Sequence, residues 1–261
     1  MRIFTVMSLA ALLVLGGCST MPSMFKSKPE PVAEQKTLSS SELRIAESAL
    51  QSGDTDVALS LYTELSNSHP DNGDVWLGLG DSHYLNGEIE QAQLAYLRAA
   101  ALDEQALEPK LSLARIAIRM RSFDEAQQLL NTVLAAEPSH PVAMASLGVV
   151  YDLTNRPELA QQTYKQGLAA NPGNAALRSN LGLSLALNGQ AREAVNVLLG
   201  YSGVSRNLPQ ARENLALAYG LLGRDDAAEE ILLSSQTRGQ AQDNLAFYQF
   251  LRKQLATKQG N

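Results

Sequence analysis

Residues 180–195 read NLGLSLALNGQAREAV. The pattern is helical, then interrupted at Asn188-Gly189, then helical again. One residue resists the reading. Gly182 lies inside the first helix, where glycine costs about 1 kcal/mol relative to alanine. Packing elsewhere in the chain has to offset that cost.

Sliding the sequence against itself by 34 residues lines it up six times without a gap. Ala58, Ala92, Ala126, Ala160, Ala194 and Ala228 share one register. Thirteen residues before each stands a large aliphatic: Ile45, Leu79, Leu113, Leu147, Leu181 and Leu215. The residue after it is always small: Ala46, Gly80, Ala114, Gly148, Gly182 and Ala216. Each unit holds two helical patterns split by a turn. The turn carries Gly53, Gly87, Asn155, Gly189 and Gly223, residues that tolerate the left-handed conformation ending a helix. Arg121 departs from this rule in the third unit. Pro70, Pro138 and Pro172 mark the end of the second helix, which proline cannot continue. Glu104 replaces proline in the second unit, so a softer boundary is expected there.

The period and the paired helices resemble the tetratricopeptide repeat, most closely at Trp76, Leu79, Gly80, Tyr84, Ala92, Tyr96 and Ala99. The resemblance implies an all-α solenoid of about six antiparallel helix pairs over residues 39–242, stacked in a right-handed superhelix. Residues 243–261 then form a cap helix and tail. In AQDNLAFYQFLRKQL (241–255), Leu245, Tyr248, Leu251 and Leu255 share one face, and polar residues are expected opposite. Gly182 falls where the two helices of its own pair meet, opposite the register of Ala194, so small residues let the backbones approach. GYSGVSRNLP (200–209) interrupts the fifth unit and reads as a longer hinge or contact loop.

The 261 residues are 45% hydrophobic and 18% charged, enough for a sizeable core. A net charge of −6 disfavours nucleic-acid binding. The chain opens with Arg2 and an uncharged apolar run over 3–15, too short to span a bilayer comfortably and fitting a secretory signal. Leu15-Gly16-Gly17-Cys18 resembles the lipobox of bacterial lipoproteins. That resemblance implies a signal peptide over residues 1–17, cleavage before Cys18 and a lipid on its thiol. Ser19 at the next position implies the outer membrane, periplasmic face, of a Gram-negative bacterium. Cys18 is the one cysteine, so no disulfide forms within the chain. Residues 18–38 carry Pro22, Pro29, Pro31, Lys26, Lys28 and Lys36 without apolar periodicity and read as a flexible tether of about 25 Å.

A search for chemistry finds little. His69 and His140 each precede a proline, and His83 lies on a helix; none has companions at metal-ligand spacing. GLGDSH (78–83) lacks the third glycine of a dinucleotide fingerprint, and GYSG (200–203) lacks the spacing of a nucleophile elbow. An enzyme is disfavoured, and no catalytic residue, metal, cofactor or small-molecule substrate is expected. In the repeat family, ligand peptides lie along the first helix of each pair. The resemblance therefore nominates Asp81, Tyr84, Arg115, Ile118, Arg119, Val149 and Asp152. Arg115 and Arg119 share a helix face and could pair with an acidic residue or a chain-terminal carboxylate. Asn180 and Asn214 share a register at which some family members hold a bound peptide backbone.

Three stretches carry a narrower likeness. NLGLSLALNGQAREAV (180–195), RENLALAYGLLGRDDAA (212–228) and DNLAFYQFLR (243–252) resemble TadD-type lipoproteins of the tight-adherence, or Flp, pilus apparatus. That resemblance implies a scaffold for pilus assembly, with the outer-membrane secretin or other assembly components as protein partners. The alternatives are a pilotin-like lipoprotein of a type IV pilus or type II secretion secretin, and a general periplasmic envelope scaffold.

Overall fold

The structure is a computed structural model that describes residues 40–199 and 209–259. The signal and lipobox-like segment, Cys18, the tether and most of the expected fifth-unit loop lie outside the described residues. Helices pair in chain order: α1 (Ser40–Ser52) with α2 (Thr55–Ser68), α3 (Gly73–Leu85) with α4 (Ile89–Leu102), and α5 (Glu108–Arg119) with α6 (Phe123–Ala136). Then come α7 (Pro141–Leu153) with α8 (Pro157–Ala170), α9 (Ala175–Leu187) with α10 (Ala191–Leu199), and α11 (Pro209–Leu222) with α12 (Asp225–Leu233). A last helix, α13 (Arg238–Gln259), follows. No strand occurs among the described residues.

The second helices begin in strict register because the turns before them are alike. Gly53, Gly87, Arg121, Asn155, Gly189 and Gly223 all have positive φ, between 57° and 87°. Arg121, the residue that broke the glycine pattern, therefore adopts the same left-handed backbone at φ 61°. For a residue with a Cβ this costs about 1–2 kcal/mol. Its guanidinium lies 5.6 Å from the Phe123 ring centroid, a partial offset. The proline-free boundary in the second unit also holds register. The Asp103 carboxylate accepts the Gln105 N–H at 2.8 Å, an Asx turn that ends α4 at Leu102. Side-chain caps start three of the first helices: Asn72 accepts the Val75 N–H at 3.0 Å for α3, and Asn174 accepts the Leu177 N–H at 2.9 Å for α9. His140 does the same for α7, its Nδ1 accepting the Ala143 N–H at 3.4 Å.

The cost of Gly182 is met inside its own pair. A Cβ added there would stand 2.5 Å from Leu198 Cγ on α10. The facing residue is thus Leu198, one turn beyond the expected Ala194, which is itself fully buried. Gly80 faces Tyr96 and Gly148 faces Tyr164 in the same way. Tyr62, Leu130 and Leu232 hold the same register in the other pairs, each nearly fully buried and in one core cluster with Ala46, Ala114 and Ala216 respectively, and Tyr62 also faces Gly78 on α3. Burying one such side chain contributes about 1.5–3 kcal/mol, which exceeds the propensity cost of the glycine.

Each second helix packs on the first helix of the next pair, and α7, α9 and α11 also touch along one side. Contacts are therefore between sequence neighbours, as in a solenoid. The first helices line one face, and that arrangement places the candidate site. At the C-terminal end, α13 begins at Arg238, ahead of the expected residue 243. The cause is a Thr-x-x-Gln capping box. The Gln240 N–H is donated to Thr237 Oγ1 at 3.4 Å, and Gln240 Oε1 accepts the Thr237 N–H at 3.0 Å. Tyr248 is buried, whereas Phe247 and Phe250 are exposed, so the outer face of α13 is not polar throughout as expected. Among the described residues no helix is long and apolar enough to cross a membrane.

Replacing Arg121 by glycine relieves the left-handed strain and should raise unfolding free energy by about 0.5–1 kcal/mol in urea titrations. Gly182→Leu should lower it by about 1–3 kcal/mol, because Leu198 occupies the space the new side chain needs.

Candidate functional site

Four nominated residues come together where α3, α4 and α5 meet. Asp81 and Tyr84 are one turn apart on α3, and Arg115 and Arg119 are one turn apart on α5. The Tyr96 hydroxyl, from α4, donates to Asp81 Oδ1 at 2.6 Å. Arg115 Nη2 donates to Asp81 Oδ1 at 3.1 Å and to the Tyr96 hydroxyl oxygen at 2.9 Å. The Arg115 guanidinium also stacks 4.1 Å from the Tyr84 ring centroid, with that of Arg119 at 5.9 Å. Within the chain, the acidic residue that Arg115 pairs with is Asp81. The pair is 47% and 38% exposed at its side chains, so water screens it and its contribution is about 0–1 kcal/mol. It orders the face more than it stabilises the fold. The cleft beside it, about 450 Å³, also receives Glu47, Asp74 and Leu85.

A second group forms between α7, α8 and α9. Val149, Asp152 and Asn180 line one cavity of about 340 Å³ with Leu153, Leu183 and Leu187. Asp152 Oδ1 accepts from Ser184 Oγ at 2.7 Å, and Oδ2 accepts from the Tyr164 hydroxyl at 3.0 Å. Burial raises the Asp152 carboxyl above the usual range, against the opposing pull of those two hydrogen bonds.

The remaining candidates stand apart. Ile118 lies half-buried against the α5–α6–α7 core and lines a small cleft with Arg115, Val142 and Ser146. Asn214 donates through Nδ2 to the Ser179 carbonyl at 3.3 Å and to Ser179 Oγ at 2.9 Å. That amide clips α11 to α9, so the two asparagines of one register do different things. His83 contacts Glu88 at 2.6 Å at the end of α3. Among the described residues no group of three or more His, Cys, Asp or Glu could hold a metal ion.

Tyr96, Tyr164 and Ser184 were not nominated from sequence. A signal existed: Tyr62, Tyr96 and Tyr164 occupy a buried register that Leu130, Leu198 and Leu232 fill elsewhere, and a buried phenol needs a partner for its hydroxyl. Burial pushes the Tyr62 phenol up to about 12. Burial raises Tyr96 and Tyr164 further, helped by the carboxylates they face. All three remain protonated donors at neutral pH.

Fold and face together define a class: a stack of helix hairpins presenting an extended, cleft-lined surface. The chain belongs to the tetratricopeptide-repeat family, whose profile matches residues 43–106, 111–165 and 154–201, more than half of its length. Repeats of this family mediate protein–protein interactions, and the fold is that of an interaction scaffold. No curated protein matches the sequence. Among solved structures, a chain of the APC/C hetero-tetramer Cut9–Hcn1 is 22% identical with a TM-score of 0.69, over 79% of this chain and 42% of that one. This chain thus spans about two fifths of that relative. Pseudomonas aeruginosa PilF is 16% identical with a TM-score of 0.63, over 74% of this chain and 88% of PilF. A tetratricopeptide-repeat protein from Parabacteroides merdae is 16% identical, also at 0.63, over 83% and 89%. At these identities the likeness shows the fold alone.

The raised phenols fix a sign for alkaline stability. Below the ordinary tyrosine value of 10.0 both folded and unfolded chains keep the proton, and the contribution is fully present. Above it the unfolded chain ionises first, so stability falls as pH rises. Urea titrations should show that fall steepening past pH 10 in the wild type and becoming shallower in Tyr164→Phe.

Proposed function

We propose that the protein is a lipid-anchored scaffold for assembly of a tight-adherence, or Flp, pilus or of its outer-membrane secretin. The observation that carries the reading is the likeness of residues 180–195, 212–228 and 243–252 to TadD-type lipoproteins. These stretches belong to α9, α10, α11, α12 and α13, helices that pack on one another towards the C-terminal end of the array. The LGGC sequence at 15–18 supports an anchor at Cys18, and Ser19 supports the outer membrane. More than one buried acyl chain is needed for firm anchoring, since each CH₂ contributes about 0.8 kcal/mol. The first-helix face would receive the secretin or another assembly component.

A pilotin-like role is the second reading. The likeness to PilF, over 88% of that chain, favours it to the extent that a shared fold can.

Deleting the gene should abolish Flp-type pili and surface adherence, scored by electron microscopy and a biofilm assay. Wild-type piliation in the deletion strain would remove the leading reading. Labelled palmitate should be incorporated by the wild type and lost in Cys18→Ser. Label retained by that variant would defeat the anchor.

A further inference from the structure

The two tyrosine–aspartate pairs of the first-helix face are alike in all but one respect. Tyr96 and Tyr164 hold the same register two repeats apart, and each donates its hydroxyl to a carboxylate on the preceding helix. The carboxylates sit one turn apart in that register, Asp81 sharing its place with Val149 and Asp152 with Tyr84. At the first pair the next first helix supplies a cation, and one guanidinium nitrogen of Arg115 touches both the carboxylate and the phenol. At the second pair the register of Arg115 is occupied by Leu183. Asp152 then receives only two neutral hydroxyls, from Ser184 and Tyr164.

No ion pair reaches Asp152 among the described residues. Arg156, the nearest cation in sequence, is turned away: it stacks 4.7 Å from the Tyr151 ring centroid and donates to Thr154 and Gln127. In place of a guanidinium there is an open cavity of about 340 Å³, at the lower end of ligand-pocket sizes and suited to one long side chain. Val149, Leu153, Pro157, Leu183 and Leu187 form the apolar part of its lining, with Leu153 and Leu187 half exposed, and Asn155, Asn180 and Asn188 add neutral amides and no charge.

We propose that this cavity binds an arginine side chain of a partner protein, presented between apolar residues. The guanidinium takes the place beside Asp152 and Tyr164 that Arg115 takes beside Asp81 and Tyr96. The arginine stem and flanking apolar side chains lie on the leucine-lined walls. A half-buried carboxylate that loses its water is held at a cost, and a charge-assisted hydrogen bond from a guanidinium offsets it. The chain's net charge of −6 favours approach of a cationic segment. This inference rests on the first-helix face being a protein-binding face and not on the pilus assignment.

The test is calorimetric titration of the full chain with the blocked peptide Ac-Ala-Leu-Arg-Leu-Ala-amide and with the same peptide carrying citrulline, uncharged and of equal shape, in place of arginine. The arginine peptide should bind about tenfold or more tighter. Asp152→Asn should erase that preference, and Glu193→Gln, which removes a carboxylate paired with Lys165 outside the cavity, should keep it. Leu183→Arg installs the missing guanidinium from within and should abolish peptide binding. It also covers the case in which Asp152→Asn fails to fold. Equal affinity for the two peptides, no binding of the arginine peptide, or an unchanged preference in folded Asp152→Asn would each overturn the proposal. Normal piliation in the deletion strain alongside intact arginine preference would sink the pilus reading and leave this one standing. Lost piliation with no arginine preference would do the reverse.

Discussion

The array depends on one kind of contact: a small residue on the first helix of a pair against a large, almost fully buried one on the second. Gly182 against Leu198, Gly80 against Tyr96 and Gly148 against Tyr164 set how closely the two helices approach. That separation determines how each pair stacks on the next, because second helices pack on the following first helices. A widened pair would pass its displacement along the stack, since packed interiors do not deform smoothly.

The same contact builds the candidate site. When the large residue is leucine the contact is purely apolar. At Tyr96 and Tyr164 the ring fills the space against glycine and the hydroxyl reaches past it to the face of the first helix. Asp81 and Asp152 meet those hydroxyls, and the two clusters of polar groups follow. A packing rule therefore decides where polar chemistry can emerge on an otherwise repetitive surface. The repeats diverge at one register: Arg115 pairs with one carboxylate, and Leu183 stands in the corresponding place beside the other.

Much of this was legible in the chain. The strict period located the helix pairs, and alanine and glycine in one register located the close approach. Where reading by residue type fell short, a local interaction had replaced the usual residue. Arg121 accepts the left-handed backbone that glycine takes elsewhere, and Asp103 forms an Asx turn where proline is missing. Thr237 and Gln240 start the last helix early through a capping box that the apolar pattern does not display. Phe247 and Phe250 sit exposed on α13, although their size suggested nothing of the kind.

The sequence by itself determined the repeat length, the all-helical class, the turn positions and the identity of the small residues, because each is a property of one residue type recurring at one spacing. Only the tertiary structure decided which side chains meet. Arg115 and Asp81 lie 34 residues apart, and Asn214 and Ser179 lie 35 apart. Neither spacing distinguishes a bonded pair from an unused one, since every residue in the array has a counterpart one repeat away. Partner choice is set by rotamer, burial and the competing donors nearby. Those quantities exist only once the helices are packed, and they separate a closed ion pair from an open pocket.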